Sequence, residues 1–200
     1  MSELPFSAAC ERNREPILQV LREVFASRRS VLEIGSGTGQ HAVYFAAALP
    51  HLVWHTSDRA EHHAAIQAWI DAHGPDNVRT PILLDVSAQS WPDTPPVDAA
   101  FSANTAHIMG WPEVCDMFAG LGTRLPPSAP FCLYGPFNSS GRFSSDSNRA
   151  FDASLRRRDV RMGLRDLDDL AALGERTGFD LVVDHAMPAN NRLLVWQRRP

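Results

Sequence analysis

The sequence predicts a doubly wound α/β domain over residues 1–200, built on a seven-stranded, mostly parallel sheet with an antiparallel last strand. Strand and helix patterns alternate from residue 16 to residue 134, which favours a parallel sheet with helices on both faces. Two short β-rich runs close the chain with no helix between them, as in an antiparallel hairpin. The 200 residues, 44% hydrophobic and 21% charged, suit one globular domain with a full core.

Hydrophobic periodicity and turn residues place the elements in order. Residues 16–25 carry apolar side chains at helical spacing, and Pro16 suits the first turn of a helix. The next predicted elements are a strand at 30–34, a helix at 41–49, a strand at 52–56 that ends at Asp58, a helix at 60–73 and a strand at 79–84 that ends at Asp85. They are followed by a strand at 97–102, a helix at 112–121 and a strand at 129–134.

The C-terminal part departs from this alternation. Residues 138–165 are polar and rich in Ser, Asn and Arg, and they are long for a connecting loop. They predict a lid that closes over a small substrate and has some helix of its own. A helix at 166–177 follows, and strands at 179–184 and 192–197 form the closing hairpin.

Composition and charge exclude several functional classes. The formal net charge of −4 disfavours nonspecific binding of nucleic acid. All 19 basic residues are arginine, which excludes chemistries that need a reactive lysine. The three cysteines and eight histidines lack ligand spacing, so neither a disulfide framework nor a metal site is expected. Since no secretory leader or long apolar span is visible, we expect a cytoplasmic protein without a membrane partner.

The stretch VLEIGSGTGQH, residues 31–41, places a glycine-rich loop between the first strand and the second helix. Its spacing is G-x-G-x-G, whereas the dinucleotide fingerprint is G-x-G-x-x-G with a helix N-terminus facing a pyrophosphate. Glu33, two residues before the first glycine, would be poorly placed beside a pyrophosphate. A cationic or amine-bearing ligand without phosphate, such as S-adenosylmethionine, fits the loop better.

The loop resembles motif I of the class I S-adenosylmethionine-dependent methyltransferases, in which an acidic residue precedes G-x-G-x-G. The match is complete at Glu33, Gly35, Gly37 and Gly39. The resemblance implies a Rossmann-like methyltransferase fold, with Asp58 at the ribose hydroxyls and Asp85 and Val86 at the adenine. From the residues alone, Asp58 and Asp85 could instead cap the helix or turn that follows each of them.

A closer resemblance covers nearly the whole chain. The runs AACERNREPIL, VLEIGSGTGQH, NTAHI, YGPFN, SNRAFDASLR, GLRD and MPANN are similar to those of the family catalogued as domain of unknown function 938, which includes methyltransferase-like 26. That family is assigned to the S-adenosylmethionine-dependent methyltransferases without an established substrate. The resemblance implies that Arg12 and Asn13, which precede the first predicted helix, fold over the cofactor, with Arg12 on its methionine carboxylate. Helix capping or a surface position is the alternative.

Candidate acceptor-side residues follow the fourth and fifth predicted strands. The run SANTAHIMGW lies where class I methyltransferases hold the acceptor and the transferred methyl, and it offers Asn104, a cofactor candidate as well, and His107. Tyr134 ends the fifth strand. His107 has the ordinary pKa range of a general base, which methyl transfer needs only when the acceptor is protonated at neutral pH. Alternatively, its imidazole orients the loop through hydrogen bonds.

Further polar residues come from segments whose ends converge in an open α/β sheet. They are Asn138, Asn148, Arg165, Asn190 and Asn191. Together they could surround a small polar substrate, although each alone is commonly a turn or capping residue. The run of arginines at 156–158 is predicted to be a solvated face.

The predicted function is therefore S-adenosylmethionine-dependent methyl transfer to an unidentified small molecule. Two alternatives stay open: an NAD(P)-dependent oxidoreductase, and a noncatalytic S-adenosylmethionine-binding protein that acts through a partner. The sequence predicts no nucleic-acid partner, and it determines neither the oligomeric state nor whether the acceptor is attacked at O, N or S.

Overall fold

The computed structural model describes residues 4–200. The helices are α1 (Ala8–Val24), α2 (Gln40–Ala48), α3 (Ala60–His73), α4 (Trp111–Arg124), α5 (Asp146–Arg158) and α6 (Leu167–Thr177). The strands are β1 (Ser30–Ile34), β2 (Val53–Asp58), β3 (Val78–Leu83), β4 (Ala99–Ala103), β5 (Pro130–Gly135), β6 (Phe137–Asn138), β7 (Arg165–Asp166), β8 (Phe179–Met187) and β9 (Asn191–Arg198). Over this range no helix is both long and apolar enough to cross a membrane.

Seven strands form one sheet in the order β3-β2-β1-β4-β5-β9-β8, and the short strands β6 and β7 pair separately. The pairs β1–β2, β1–β4 and β2–β3 are parallel, whereas β9 is antiparallel to both β5 and β8. The predicted fold class, a seven-stranded and mostly parallel α/β sheet with an antiparallel last strand, is confirmed. By their contacts the residues divide into two compact units, Met1–Ser102 and Ala103–Pro200. The single domain over 1–200 stays a prediction.

The first unit has an aromatic core on its parallel strands. Phe45 of α2, Trp54 of β2 and Phe101 of β4 are completely buried, and their ring centroids lie 5.4–5.9 Å apart in tilted and edge-to-face pairs. Aromatic pairs of this geometry add to the free energy gained by burying their area. This core packs α2 against β2 and β4, the strands on either side of β1, and the glycine-rich loop follows β1.

An acidic side chain fixes the start of β1. The Asp98 carboxylate, just before β4, accepts the backbone N–H of Arg29 at 3.0 Å and that of Ser30 at 2.8 Å. The N–H of Asp98 in turn donates to the Ser30 carbonyl at 3.0 Å. The neighbouring strands β1 and β4 are therefore locked in register at their first residues.

The second unit has its own core around Phe118 of α4. Its ring packs edge-on against Phe131, Phe179 and Trp196, with centroids 5.3, 5.9 and 5.2 Å away. Helix α6 approaches closely, because a Cβ on Gly174 would lie 2.7 Å from Cζ3 of Trp196. Helices α4 and α6 thus pack on the strands β5, β9 and β8, which also pair with one another.

Several predicted boundaries are off by one to three residues, and α4 runs to Arg124 where the prediction ends it at 121, but two differences change the interpretation. Helix α1 begins at Ala8, where Ser7 is the N-cap and accepts the N–H of Cys10 at 3.4 Å, and Pro16 lies inside the helix. Arg12 and Asn13 are therefore part of α1 and do not precede it. Strand β8 runs to Met187, which pairs with Asn191, so the hairpin connection is shorter than predicted. The first two turns of α1, AACERNRE, lack large apolar side chains at helical spacing, so apolar periodicity could not reveal them.

The segment 138–165 contains the helix that the sequence predicts. Helix α5 begins after Ser145, whose Oγ accepts the N–H of Asn148 at 3.1 Å. Strands β6 and β7, which the sequence does not predict, pair the two ends of this segment in parallel. Two-residue strands lack the length that a sequence pattern needs for detection.

Candidate functional site

The glycine-rich loop, residues 35–39, turns at the carboxyl ends of β1 and β2. The N–H groups of Gly35 and Ser36 both donate to the Ser57 carbonyl at 3.0 Å, and the N–H of Gly39 closes a turn on the Ser36 carbonyl at 2.9 Å. Strand ends of this kind are where open α/β sheets bind ligands. The predicted loop is therefore rigidly held at that edge by β2.

Two of its glycines meet different requirements. Gly37 has a φ of 59°, and a Cβ there would meet no atom within 4 Å. Gly39 has a φ of 88°, and a Cβ there would lie 3.0 Å from the Cα of Ile66. Gly39 thus lets α3 pack against the loop, whereas Gly37 presents bare backbone to open space.

Glu33 is buried beneath the loop. Its Oε2 accepts the Ser36 hydroxyl at 2.9 Å and the indole N–H of Trp54 at 3.0 Å, and the side chain is 2% exposed. Burial raises the pKa of the Glu33 carboxyl to about 7, against the two hydrogen bonds, which favour the charged form. A buried carboxyl of this kind is poised to change its proton occupancy near neutral pH.

Asp58 closes the other side of the loop. Its Oδ2 accepts the N–H of Gly37 at 2.8 Å, and its Oδ1 accepts the N–H of Arg59 at 2.8 Å. The N-cap residue of α3 is Arg59, and no side chain caps that helix, so Asp58 does not serve as its cap. The structure therefore brings Glu33, Gly37 and Asp58 together at the loop, and their binding of a cofactor stays a prediction.

Asp85 is exposed just after β3. Its Oδ1 accepts both the N–H and the hydroxyl of Ser87, at 3.0 and 2.7 Å, and these bonds lower the pKa of Asp85. Val86 is buried, and its carbonyl accepts the indole N–H of Trp91 at 3.0 Å. A groove of about 540 Å³ lies here, with Asp85, Arg59 and Trp91 among its lining residues. Asp85 thus caps a turn, which is the alternative that the sequence left open, and it also lines the groove.

Helix α1 is bonded to the residues that follow the loop. Oδ1 of Asn13, buried, lies 2.7 Å from Nε2 of His41, and burial lowers the pKa of His41 to about 4. The N–H of Ser7 donates to Oε1 of Gln40 at 2.5 Å. Of the two residues predicted to fold over the cofactor, Asn13 therefore holds α1 against α2. Arg12 is exposed.

In the second unit, the backbone brings the predicted acceptor-side residues together. The N–H of Asn104 donates to the Tyr134 carbonyl at 2.9 Å, and Asn104 has a φ of 60°. A Cβ on Gly135, next to Tyr134, would lie 3.7 Å from Nδ1 of His107. Asparagine adopts left-handed backbone more readily than most residues with a side chain, so this conformation suits the turn that follows β4.

The loop that carries His107, residues 104–109, is clamped by Arg165. The guanidinium donates from Nε to the Ala106 carbonyl at 2.9 Å, and from Nη2 to the carbonyls of Met109 and Arg161. The N–H of Gly163 donates to the His107 carbonyl at 3.0 Å. The end of the predicted lid is thus bonded to this loop, and its closure over a substrate stays a prediction.

His107 itself is buried, with its ring edge-on to Phe151 of α5 at a centroid distance of 5.2 Å. Burial, together with the positive charges of Arg165 and Arg158, lowers the pKa of His107 to about 4. The imidazole is therefore neutral at pH 7 and binds a proton more weakly than its ordinary pKa implies.

Most of the remaining polar residues that the sequence predicts around the substrate use their side chains in hydrogen bonds within the protein. The amide of Asn148 donates to the Ser144 hydroxyl at 2.8 Å and to the Asn190 carbonyl at 3.1 Å, and that of Asn191 donates to the Pro188 carbonyl at 3.0 Å. Asn138 differs, because its Oδ1 is buried without a partner among residues 4–200. Within the same range, no group of three His, Cys, Asp or Glu side chains could hold a metal ion.

Sequence reasoning missed the residues that hold the candidates in place. Ser36 and Trp54 donate to Glu33, and Arg165, considered only as a substrate contact, clamps the His107 loop. A buried carboxylate requires donors, but a single sequence does not say which distant side chains provide them.

Comparison with known proteins adds one family match. A sequence-family profile described as "Protein of unknown function (DUF938)" matches residues 4–198. The match thus covers nearly all of the chain and agrees with the resemblance seen in its motifs.

Solved structures of methyltransferases share the fold. An O-methyltransferase family protein from Burkholderia thailandensis has 17% sequence identity, a TM-score of 0.81, and matches over 96% of this chain and 57% of its own. An O-methyltransferase family 2 protein from Planctomyces limnophilus, in complex with apigenin, has 16% identity and a TM-score of 0.81 over 95% and 57%. Human N-acetylserotonin methyltransferase, in complex with SAM, has 13% identity and a TM-score of 0.73 over 96% and 58%. This chain spans less than three fifths of these proteins, and at such identities the likeness shows the fold alone.

Proposed function

The chain belongs to the DUF938 family, and from that membership and its methyltransferase fold we propose that it is an S-adenosylmethionine-dependent methyltransferase that acts on a small molecule. The observation that carries the proposal is the open face of Gly37, whose N–H donates to Asp58, above the buried carboxyl of Glu33. Left-handed backbone accounts for a glycine at this position, but it does not account for the open space on its Cβ side next to Asp58. A ligand that lies against the backbone and donates hydrogen bonds explains both features.

The charge of the loop favours this cofactor over a dinucleotide. Asp58 offers carboxylate oxygens to ribose hydroxyls, and Glu33 lies below the loop as a carboxyl that gains stability beside a cation. A pyrophosphate would bring negative charge towards both groups, which costs free energy in a partly buried site. The residues of the loop therefore fit S-adenosylmethionine, which carries a sulfonium and an ammonium group and no phosphate.

Further residues would hold the cofactor by resemblance. We assign Gly35, Gly37 and Gly39 to the backbone contact, Asp58 to the ribose, and Asp85 and Val86 to the adenine. Asn13 holds α1 against α2, and its neighbour Arg12 is a candidate for the methionine carboxylate. Asn104, in left-handed backbone after β4, is a candidate for both cofactor and acceptor.

The second unit supplies candidates for handling the acceptor. S-adenosylmethionine supplies an activated methyl group on a positively charged sulfur. The chain has to orient the attacking atom of the acceptor, exclude water and remove the proton that the acceptor loses. His107, neutral at pH 7, is the candidate that receives this proton, and Asn104 and Tyr134 are candidates for orienting the acceptor.

Calorimetry with purified protein tests the cofactor. We expect S-adenosylmethionine and S-adenosylhomocysteine to bind and NAD⁺ and NADP⁺ not to bind. Asp58→Ala should weaken binding by about 1–3 kcal/mol because it removes hydrogen bonds to a charged acceptor. Asp71→Ala, which removes an exposed carboxylate of α3, is the matched control and should bind normally. Preferential binding of NAD⁺ would reject the proposal in favour of an oxidoreductase.

A metabolite screen with labelled S-adenosylmethionine tests catalysis. Transfer of label to a small molecule supports the proposal. If the cofactor binds and no acceptor is labelled even in a cell extract, the protein is a noncatalytic S-adenosylmethionine-binding protein.

A further inference from the structure

One face of helix α5 is directed at His107. Phe151 contacts the His107 ring, and Leu155 and Arg158 follow it at spacings of four and three residues, which places all three on the same side of the helix. Leu155 is 1% exposed, so this side is the one that packs inward. Arg158, at the last position of α5, therefore ends a helix face that begins at the candidate base.

The three consecutive arginines at the end of α5 are not equivalent. Arg156 donates from Nε to Asp152 at 2.8 Å, and Asp152 also accepts the N–H of Leu164 at 2.8 Å. Arg157 lies about 100° around the helix from Arg158 and so faces away from His107. Neither Arg157 nor Arg158 forms an ion pair with any acidic side chain of the described residues. All three arginines are exposed, as predicted, and Arg158 is the one without an ion pair on the side of α5 that faces His107.

Apolar surface lies between this cation and the candidate base. Phe151 is 37% exposed although its ring touches His107, and Ile108, the next residue in the loop, is 45% exposed. Side chains in helices lean towards the N-terminus, which brings the Arg158 guanidinium back over the turn that follows Phe151. The surface therefore offers apolar contact beside His107 and a positive charge at its edge.

We propose that the acceptor is a small organic acid, whose carboxylate pairs with Arg158, whose apolar part contacts Phe151 and Ile108, and whose reactive group lies at His107. This inference rests on the proposed methyl transfer and names its substrate class. Two exposed apolar side chains cover far less than the roughly 800 Å² that each partner buries in a specific protein interface, which favours a small molecule over a protein.

The charges around His107 are consistent with an anionic acceptor. Arg165 and Arg158 are the positive groups that lower the pKa of His107, and Arg165 is already bound to backbone carbonyls. A carboxylate paired with Arg158 offsets one of these charges. The pKa of His107 then rises in part, because burial, the largest cause of its lowering, and Arg165 remain, and a higher pKa makes the imidazole a better proton acceptor. Binding of the acid would in this way activate the base.

Paired probes that differ only in charge test the proposal. Protein labelled at histidine is saturated with S-adenosylhomocysteine, and the His107 imidazole resonance is followed by NMR during titration. The probes are benzoate against benzamide and phenylacetate against phenylacetamide. We expect at least one acid to bind at least fivefold more tightly than its amide and to shift the His107 resonance. Arg158→Gln should remove this preference, whereas Arg157→Gln, the matched control, should keep it.

Three results would overturn the proposal. They are equal affinity for each acid and its amide, equal loss of the preference in both arginine variants, and a preference that Arg158→Gln leaves intact. Arg158→Lys keeps the charge and should retain part of the preference, which separates recognition from a folding defect. Calorimetry with S-adenosylhomocysteine separates the two hypotheses: if it does not bind, the proposed function fails, and if it binds without an acid preference, only the acceptor class is wrong.

Discussion

Replacing Glu33 with glutamine should make the free energy of unfolding less dependent on pH. In the folded protein burial raises the pKa of this carboxyl to about 7, from an ordinary value of 4.5. Between these values the folded protein holds a proton that the unfolded chain has already released. The stability from this proton is present at low pH and is lost as the pH rises through the window from 4.5 to 7.

The magnitude follows from the shift. Each pKa unit corresponds to about 1.4 kcal/mol, so the full loss is about 3 kcal/mol. Part of it occurs below pH 5, which leaves a loss of about 2–3 kcal/mol between pH 5 and pH 8. Glutamine keeps an oxygen that can accept from Trp54 and Ser36 but carries no charge, so the variant lacks this component.

Urea unfolding at pH 5, 6, 7 and 8, followed by tryptophan fluorescence, measures the effect. Comparison with the wild type cancels the contributions of the other titrating groups. Glu23→Gln, at an exposed position of α1, is the control and should follow the wild-type pH profile. Parallel pH profiles for the wild type and Glu33→Gln, within about 0.5 kcal/mol, would show that the buried carboxyl does not titrate in this window.

Three further substitutions separate packing from ligand contact. Gly37→Ala should lower the free energy of unfolding by only about 1–2 kcal/mol, which is the cost of left-handed backbone. It should nevertheless abolish S-adenosylmethionine binding in calorimetry, because the added methyl group enters the open face of the loop. Gly39→Ala should instead lower the free energy of unfolding by more than about 2 kcal/mol, because its Cβ would meet Ile66; a variant as stable as Gly37→Ala would contradict this. Arg165→Gln should raise the pKa of His107, measured by NMR, since a positive charge and a clamp are lost; an unchanged pKa would show that burial alone sets it.

Elements with strong local signals could be predicted closely. The bounds of β1 and α3 agree with the prediction to the residue, because a short apolar run before glycines and a helix that stops at Gly74-Pro75 are unambiguous. The start of α1 could not be found in this way. Its first two turns lack large apolar side chains at helical spacing, and besides the local Ser7 cap they are held by contacts with α2, which belong to the tertiary structure.

The candidate site shows the same division. The glycine-rich loop and Asp58 follow from spacing along the chain and are adjacent in the structure. The donors to Glu33 could not be predicted, since Trp54 lies 21 residues away and reaches it only once β1 and β2 pair. The lowered pKa of His107 could not be predicted either, because it depends on burial and on Arg165, which is distant in sequence.

The link between Asp98 and the start of β1 has a consequence for the order of folding. It joins residues 68 and 69 positions apart, so β1 acquires its second neighbour only when a long loop of the chain closes, which is entropically costly. The pair β8–β9, joined through Pro188–Asn190 alone, closes a short loop at little entropic cost. We therefore expect the C-terminal hairpin to form early during refolding and β1, with the glycine-rich loop that follows it, to become fixed late. Pulse-labelling hydrogen exchange would show this as early protection of the β9 amides and delayed protection of those in β1.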